Sequence, residues 1–483
     1  MFLNIAFAVA AAQQAPSFNE VTVYNQGFAL VKETRELSLR QGRQQVAVEN
    51  VAAMIEPSSV GIRSLADPAS IQVLEQNYQY DLISPLAILN KAVGSQVRFI
   101  RVLPNGAKET LTGTLISSPT AVVGQTGGQD WGGGLARDRS VMTYNGMVIR
   151  TDDGRIVLNP TGEIEVSTLP EGLISRPTLM WDLVASRAGS NTVELSYLTQ
   201  GVTWNADYVL TIDELATAQL KGWVTMNNQS GATFREARLK LLAGDVQRIM
   251  PQMNRGGMGG GGFGGAAQKD AFQEESLFEY HLYTLQRPAT IRDKEIKQLS
   301  LLDGSGIKYS KKLVLDAMRG FVNHYPNEGV VGVGNLKPQV RVEFVNSKEN
   351  GLGMPLPKGK VKVYQRDKSG SVQMLGEDQI DHTPRDERLS LVVGRSFDVA
   401  ADRRRTNFRR LSPSTVEETF EIEVRNRKEM PETVHVLERH WATWRITAQN
   451  RPSTKLDSHT SEFVLRLAPG ESQTITYTIV TSW

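Results

Sequence analysis

The chain has 483 residues, of which 40% are hydrophobic and 22% charged; this composition is ordinary for a soluble globular protein, and the length exceeds what one hydrophobic core usually supports. Lys and Arg number 54 against 52 Asp and Glu, so the net charge of +2 provides no global field to attract nucleic acid. The chain contains no cysteine, which excludes disulfides, thiolate metal sites and thiol nucleophiles.

The N-terminal segment predicts an export signal over residues 1–15. An apolar stretch from Phe2 to Ala12, with a small residue also at Ala10, is followed by a polar exit at Gln13. This stretch is too short to span a bilayer. We therefore expect an exported protein, periplasmic or extracellular, with no membrane span after signal cleavage.

Residues 17–83 predict an N-terminal β domain, because apolar and polar residues alternate there between turn residues. A short helix follows, with Ser84 as its N-cap, Pro85 in the first helical position and Gly94 just past its end. The rest of the interval 84–170 contains two glycine hairpins, LPNG and TDDG, which are typical of a small Sm-like or SH3-like barrel.

Many short strands at regular spacing follow from Ile174 onward and indicate β-sandwiches rather than a parallel α/β sheet. We expect one sandwich over residues 174–365 and an immunoglobulin-like sandwich over residues 366–483. A glycine run near residues 251–268 lacks the Lys-Ser/Thr ending of a phosphate-binding loop and predicts a disordered excursion between two strands. The expected fold class is therefore all-β and multidomain.

The strand after the glycine run holds the first candidate site. With a period of two, Glu279, His281 and Tyr283 share one face, an arrangement that suits general acid–base chemistry. The same pattern fits a half-buried strand with a hydrogen-bonded histidine. We favour this second interpretation, because no second histidine or metal-spaced carboxylate lies nearby.

The segment LGEDQIDHTPRDE contains the densest set of possible ligands for a hard metal ion, among them Asp381 and His382. Its spacing matches no calcium loop, and Pro384 with its polar neighbours favours a turn. If the fold brought His281, Asp381 and His382 together, a metal-dependent hydrolase would be the alternative function.

The segment DRRRTNFRR could bind an anion or a partner through Arg403, Arg404, Arg405, Arg409 and Arg410. The acidic segment VEETFEIEV follows after a short turn. If the two segments form a hairpin, opposite charges face each other and largely neutralise the patch.

Three tryptophans are candidates for exposed contacts with a glycan or a protein partner: Trp131, Trp204 and Trp444. Trp441 and Trp444 cannot share one strand face at their spacing. A core tryptophan beside an interface tryptophan is the alternative interpretation of that pair.

Several phrases together resemble an exported bacterial family of unknown function that includes mucoidy-inhibitor-like proteins. Among them are VYNQGFALVKETREL, SYLTQGVTWNADYVLTI, NNQSGATFREARLKLLAGDV, ENGLGMPLPKGKVKVYQRD and GEDQIDHTPRDE, and the similarity runs from Val21 to the end of the chain. The resemblance implies a β-rich exported protein with a C-terminal sandwich region. It implies no catalytic residues, because the family has none established.

The sequence therefore favours a non-enzymatic binding or scaffold protein of the bacterial envelope, with a protein or a glycan as partner. No nucleic acid, cofactor, metal site or catalytic residue is predicted. The metal-dependent hydrolase built on His281, Asp381 and His382 remains the alternative.

Overall fold

The computed structural model describes residues 10–12, 16–81, 83–102, 107–125, 141–160, 163–170, 173–244, 246–247, 272–319, 326–329 and 331–483. The predicted glycine-rich excursion at 251–268, most of the predicted signal segment 1–15 and Trp131 lie outside these residues. The regular secondary structure of the described chain is almost all β-strand, arranged in several sheets, which confirms the expected all-β, multidomain fold. Its one α-helix is α1 (Pro85–Lys91), and no helix in the described part is long and apolar enough to cross a bilayer.

Two sheets contain the N-terminal strands. The first consists, from edge to edge, of β1 (Ala10–Ala12), β4 (Gly42–Glu49), β14 (Thr178–Ala185) and β6 (Ile71–Gln79). The second consists of β19 (Phe272–Leu277), β20 (Tyr280–Leu285), β18 (Phe234–Ala243), β2 (Phe18–Tyr24), β3 (Phe28–Leu39), β15 (Gly189–Gln200) and β5 (Gly61–Ser64), with β21 (Ala289–Ile291) also paired to β18.

The largest sheet extends from the middle of the chain into its C-terminal part. Its strands are β26 (Val372–Ile380), β25 (Gly359–Arg366), β16 (Val202–Ile212), β17 (Thr217–Asn228), β22 (Glu295–Asp316), β30 (Glu432–Arg439), β33 (Thr460–Leu467) and β32 (Thr454–Lys455). Two further strands, β24 (Gln339–Val345) and β27 (Arg388–Arg395), join it through β22.

A fourth sheet closes the C-terminal sandwich. It consists of β23 (Gly334–Leu336), β28 (Val399–Ser412), β29 (Thr415–Asn426), β34 (Ser472–Ser482) and β31 (Thr443–Gln449). Its core residues, such as Ile422 and Ile475, pack with Leu313 and Leu315 of β22 and with Val434 of β30. The 22-residue strand β22 therefore pairs with β17 through its first half and enters the C-terminal core with its last residues.

The main hydrophobic core joins segments that lie far apart in the sequence. Val21 of β2, Trp181 of β14, Leu239 of β18 and Leu391 of β27 all belong to it. The interval 17–83 thus shares sheets and core with the later chain, and so do strands beyond residue 366. Period-two patterning shows which residues face a core, but it does not show which strands pair.

Residues 84–170 form a separate inserted unit. The unit begins with α1. Its main sheet consists, from edge to edge, of β12 (Ile156–Leu158), β11 (Val148–Thr151), β8 (Lys108–Ser117), β7 (Gln96–Val102) and β13 (Glu163–Val166). A separate hairpin is formed by β9 (Ala121–Gln125) and β10 (Val141–Asn145). Numbered by their order in the chain, the main strands lie in the sheet in the order 4-3-2-1-5. The Sm-like or SH3-like barrel stays a prediction. A cluster including Leu89, Phe99 and Leu115 forms the unit's own core.

The helix signals read from the sequence are confirmed in this unit. The Ser84 hydroxyl accepts a hydrogen bond from Ala87 N–H at 3.1 Å, and Pro85 begins the helix. Gly94, just past the helix end, has a φ of +88°, which a residue with a side chain adopts only at a cost.

The inserted unit leaves and rejoins the first sheet between neighbouring strands. β6 precedes it, β14 follows it, and the two strands pair antiparallel. Backbone hydrogen bonds from Ile83 N–H to Ile174 O at 2.9 Å and from Ile174 N–H to Asp81 O at 3.0 Å hold the entry and exit segments together.

Three buried asparagines lie at or just after strand ends: Asn228, Asn346 and Asn426, each 0% exposed. After Asn228 and Asn426 the chain crosses to another sheet. Asn228 accepts from Ser230 N–H at 3.1 Å and donates to Ala232 O at 2.8 Å. Asn426 repeats the pattern with Lys428 N–H and Met430 O, at 3.1 and 2.9 Å. Because these amides satisfy turn backbone that would otherwise be buried without partners, they fix the crossings.

Candidate functional site: a polar cleft beside Trp204

A cleft of about 670 Å³ lies where the turn between β2 and β3 meets the starts of β16 and β25 and the end of β26. Its walls come from residues 25–26, 204–207, 358–360 and 377–379, together with His382. Pockets of this size accommodate small molecules or the end of a longer chain.

Trp204 forms the inner wall of the cleft. On β16 the inward positions are Val202, Trp204, Ala206 and Tyr208, all buried, and Trp204 is only 2% exposed. The expectation that Trp204 is an exposed aromatic is therefore corrected: the alternation of β16 places it on the core face. Asn205, on the opposite face of the strand, is exposed.

A glycine lets the second wall approach. β25 pairs parallel with β16, with Gly359 opposite Ala206. A Cβ on Gly359 would lie 2.2 Å from the Ala206 carbonyl oxygen, so only glycine permits this contact. The close approach brings the flanking Lys358 and Lys360 to the edge of the cleft.

His382 and Asn25 meet across the cleft. Lys358 N–H donates to His382 Nδ1 at 3.2 Å, and Nε2 of the same ring lies 3.4 Å from Nδ2 of Asn25. Asn25 belongs to the tight turn from Tyr24 to Gly27, where Gly27 has a φ of +90°. The site therefore joins the second sheet to the largest sheet.

The charged groups of the cleft are engaged within the protein. Lys360 Nζ lies 3.7 Å from Glu377, and Asp207 accepts from Thr225 Oγ1 at 2.7 Å. Asp378 accepts backbone N–H groups of Gln379 and Val392 at 2.9 and 2.7 Å.

Asp381 lies beside the cleft wall. Its side chain is 90% exposed and pairs with Lys358 Nζ at 3.5 Å. Asp381 precedes His382 in the sequence, and both residues contact Lys358, but the carboxylate of Asp381 is exposed to solvent.

Two buried polar atoms of the cleft residues have no hydrogen-bond partner among the residues that the structure describes. They are the indole Nε1 of Trp204 and Oδ1 of Asn25. A buried donor or acceptor without a partner costs about 1–3 kcal/mol, and such groups are rare in native proteins. Both belong to residues that line the same cleft, so this part of the protein has unused hydrogen-bonding capacity.

The predicted cluster around His281 has different neighbours from those expected. His281 Nδ1 lies 2.8 Å from Glu274 Oε1 on the paired strand β19, and Tyr283 is buried with its hydroxyl donating to Pro355 O at 3.0 Å. Glu279 lies exposed in the turn before β20 rather than on its face. His281 is not among the residues that line the cleft around His382.

No group of three or more histidines or acidic residues within the described ranges is arranged to hold a metal ion. The structure thus places His382 and Asp381 at the cleft and His281 on a hairpin of another sheet. His281 in turn has its own carboxylate partner in that hairpin.

The predicted arginine patch divides into inward and outward members. β28 and β29 form a hairpin, the condition under which the opposite charges face each other, and the exposed Arg404 and Arg409 pair with Glu421 and Glu417 across it. Arg410 donates to Pro413 O at 3.4 Å.

The two inward arginines anchor a neighbouring segment. Arg403 is only 2% exposed, and the Arg405 side chain is 10% exposed. They donate to the carbonyls of Val331 and Asn327, at 3.2 and 2.7 Å. As a surface for anions the patch is therefore smaller than predicted, because alternate residues of β28 face the sandwich interior.

Arg403 forms the centre of a second polar interior, which we call the arginine network: Arg403, Glu438, Tyr477 and His440. Arg403 Nη2 donates to Glu438 Oε2 at 2.8 Å, and the Tyr477 hydroxyl donates to the same carboxylate. A cavity of about 50 Å³ adjoins it. Burial alone would lower the pKa of Arg403 and raise that of Glu438, but their mutual attraction reverses both shifts.

Trp444, the other predicted exposed aromatic within the described chain, is half-buried. Its Nε1 donates to Ser458 O at 2.7 Å, its ring lies 4.2 Å from that of His440, and Lys455 Nζ lies 4.7 Å from its ring centre. Trp444 thus has a fully used indole N–H, in contrast to Trp204.

The sequence identified Trp204, Asp381 and His382 but did not predict that Asn25 and Lys358 lie with them. The available signals were the Asn-Gln-Gly turn after β2 and the glycine between two lysines at the start of β25. No family model matches the chain, and no curated protein matches it.

Proposed function

We propose that this chain is a non-enzymatic binding protein of the bacterial envelope and that the cleft beside Trp204 holds its ligand. The observation that carries the proposal is the indole N–H of Trp204, a nearly fully buried residue of the cleft lining: this donor has no acceptor among the described residues. Buried polar groups normally have a partner, and a ligand acceptor would provide one.

The geometry of the cleft supports recognition. The carboxylates of Asp207 and Asp378 are held by hydrogen bonds from Thr225 and from backbone N–H groups. Such groups are oriented before a ligand arrives, which reduces the entropy lost on binding. Exposed amides at Gln26, Asn205 and Gln379 add adaptable donors and acceptors around the rim.

The envelope location is supported by two features of the sequence. The apolar stretch from Phe2 to Ala12 has the form of an export signal. The phrases from Val21 onward resemble an exported bacterial family. A partner in the envelope, protein or glycan, follows from this placement.

Filling the cleft tests the proposal. Asn205→Trp places a bulky side chain at an exposed lining position, and Lys362→Trp places the same side chain on exposed β25 outside the cleft. Each immobilised protein is incubated with an envelope extract of the producing bacterium, and retained molecules are measured by mass spectrometry.

We expect the wild type and Lys362→Trp to retain the same component and Asn205→Trp to lose it. Equal retention by all three proteins, or no retention above a blank resin, would contradict the proposed function. Circular dichroism of the variants confirms that both retain the native fold.

A further inference from the structure

We infer that the ligand of the cleft is an uncharged, hydroxyl-rich molecule, a neutral carbohydrate. The inference rests on the proposed function, because it names the ligand class of the same cleft. Its starting point is the pair of polar atoms without partners, Trp204 Nε1 and Asn25 Oδ1.

The hydrogen bonds of His382 determine how the Asn25 amide is used. A neutral imidazole has one acceptor nitrogen, and Nδ1 of His382 already accepts from Lys358 N–H at 3.2 Å. Nε2 is therefore the protonated nitrogen, yet it faces Nδ2 of Asn25, which is also a donor, at 3.4 Å. Two donors that face each other do not form a hydrogen bond.

Rotating the Asn25 side-chain amide by 180° removes both the facing donors and the acceptor without a partner. It presents Oδ1 of Asn25 to the Nε2–H of His382, which satisfies the acceptor that otherwise has no partner. The amide nitrogen then takes the buried position that Oδ1 held. The cleft residues consequently offer two buried donors, the Asn25 amide and the Trp204 indole N–H, and a ligand must supply acceptor oxygens.

The charges of the cleft favour a neutral acceptor over an anion. Lys358 and Lys360 are accompanied in the lining by Asp207, Glu377 and Asp378, so the carboxylates outnumber the ammonium groups. A carboxylate or phosphate on the ligand would meet like charges without a surplus of positive charge to offset them.

The ligand must also donate hydrogen bonds. Carboxylates accept only, and the lining contains three of them beside the amides. A hydroxyl group both donates and accepts, so neighbouring hydroxyls on one ring can serve the indole N–H and a carboxylate together. Many peptides are recognised through apolar pockets that take their side chains, and the apolar lining residues here, Trp204 and Ala206, are buried in the core and form no such pocket.

Fluorine NMR tests the inference on the full-length protein. Labelling with 5-fluorotryptophan gives one resonance for each of the seven tryptophans, and Trp204→Phe and Trp444→Phe assign two of them. The probes are maltotriose, cellotriose and chitotriose as neutral sugars, trigalacturonate as an acidic sugar and trialanine as a peptide, each at millimolar concentration.

We expect a neutral trisaccharide to shift the Trp204 resonance saturably and to leave the Trp444 resonance in place, because the Trp444 indole is bonded to Ser458. Asn25→Asp keeps an oxygen for His382 but removes the amide donor, and should weaken binding roughly tenfold. Lys362→Ala, outside the cleft, should leave the affinity unchanged.

The outcomes separate the inference from the proposed function. A shift with trialanine or trigalacturonate alone overturns the carbohydrate while the proposed binding function stands. If no probe shifts the Trp204 resonance, the inference of a carbohydrate ligand is also overturned. The proposed binding function is then decided separately, by whether the wild type retains envelope components that Asn205→Trp does not. An equal affinity of Asn25→Asp and wild type for a neutral sugar would overturn the role of the amide donor.

Discussion

The cleft beside Trp204 and the arginine network are both polar regions next to hydrophobic cores, but they differ in how their hydrogen bonds are used. In the network, Arg403 donates from Nε, Nη1 and Nη2, and Glu438 accepts from both Arg403 and Tyr477. In the cleft, Trp204 and Asn25 each retain a buried polar atom without a partner in the described chain.

The difference distinguishes structure from recognition. The groups of a buried, fully hydrogen-bonded charge pair are already used within the protein and are not available to a ligand. Such a pair has a structural role in the C-terminal sandwich. A polar site with unpaired buried groups lowers the free energy of unfolding. Such a site is expected where a bound ligand supplies the missing hydrogen bonds. Four predictions break or sharpen this contrast.

Breaking the arginine network should produce the largest effect. Arg403→Met leaves Glu438 as a buried charge with a lost partner, so we expect the free energy of unfolding to fall by about 3–5 kcal/mol in urea denaturation. Arg404 lies on the same strand as Arg403 but is exposed and pairs with Glu421 of β29, so Arg404→Met should cost about 1 kcal/mol or less. Equal losses in the two variants would show that the network is not a structural element.

Acid should weaken the same region through His440. Burial first, and then Arg403 and Lys455, lower the pKa of His440 to about 4, against the opposing influence of Glu438. The unfolded histidine titrates near its ordinary value, about 6.5, so the unfolded state binds the proton first as the pH falls. Stability is therefore lost from about pH 6.5 down to about pH 4, by roughly 3 kcal/mol in total.

His440→Gln keeps a donor and acceptor for Ser461, the present partner of Nε2 at 2.8 Å, and removes the titration. Urea denaturation across this pH range measures the difference between the two proteins. If the free energy of unfolding of the wild type and of the variant depended on pH in the same way, the loss of stability in acid could not be assigned to His440. Glu438 has a lowered pKa, so its own contribution is lost only as the pH falls further.

Two buried tryptophans allow a matched comparison of the indole N–H. Trp181 and Trp204 are 1% and 2% exposed, but Trp181 Nε1 donates to Gln76 Oε1 at 2.9 Å. Replacing either with phenylalanine removes a similar apolar volume. We expect Trp181→Phe to cost about 1–3 kcal/mol more than Trp204→Phe, because only the former leaves a polar partner behind. Equal losses of unfolding free energy would mean that the Trp204 N–H is satisfied.

The exposed side of the arginine strand should show the smallest effect. Arg409 and Glu417 lie 3.0 Å apart across the β28–β29 hairpin, with the arginine side chain 64% exposed. A double-mutant cycle with alanine at both positions should give a coupling of about 1 kcal/mol or less, decreasing with added salt. A coupling as large as the loss in Arg403→Met would remove the distinction between outward and inward arginines.

Local signals in the sequence predicted much of the fold. The Ser84 cap, Pro85 and Gly94 defined α1. The basic and acidic segments predicted that their charges would neutralise each other if they formed a hairpin, and β28 and β29 do form one. These features depend on neighbouring residues, whose physics is the same in any fold.

Long-range pairing was outside the reach of those signals. The parallel contact of β16 with β25 joins Ala206 to Gly359, and the turn at Asn25 lies even farther away in sequence. The sequence suggested an exposed Trp204, because the residues around it do not show which face of the strand the other sheets cover. The candidate site therefore became visible only when three distant segments were placed together.

The inserted unit enters and leaves its parent sheet at one point, between paired strands β6 and β14. A chain in which a short turn replaced residues 84–170 would retain every other strand neighbour. The inserted unit is accordingly a separable module, and its removal would leave the connectivity of the sheets that form the cleft unaltered.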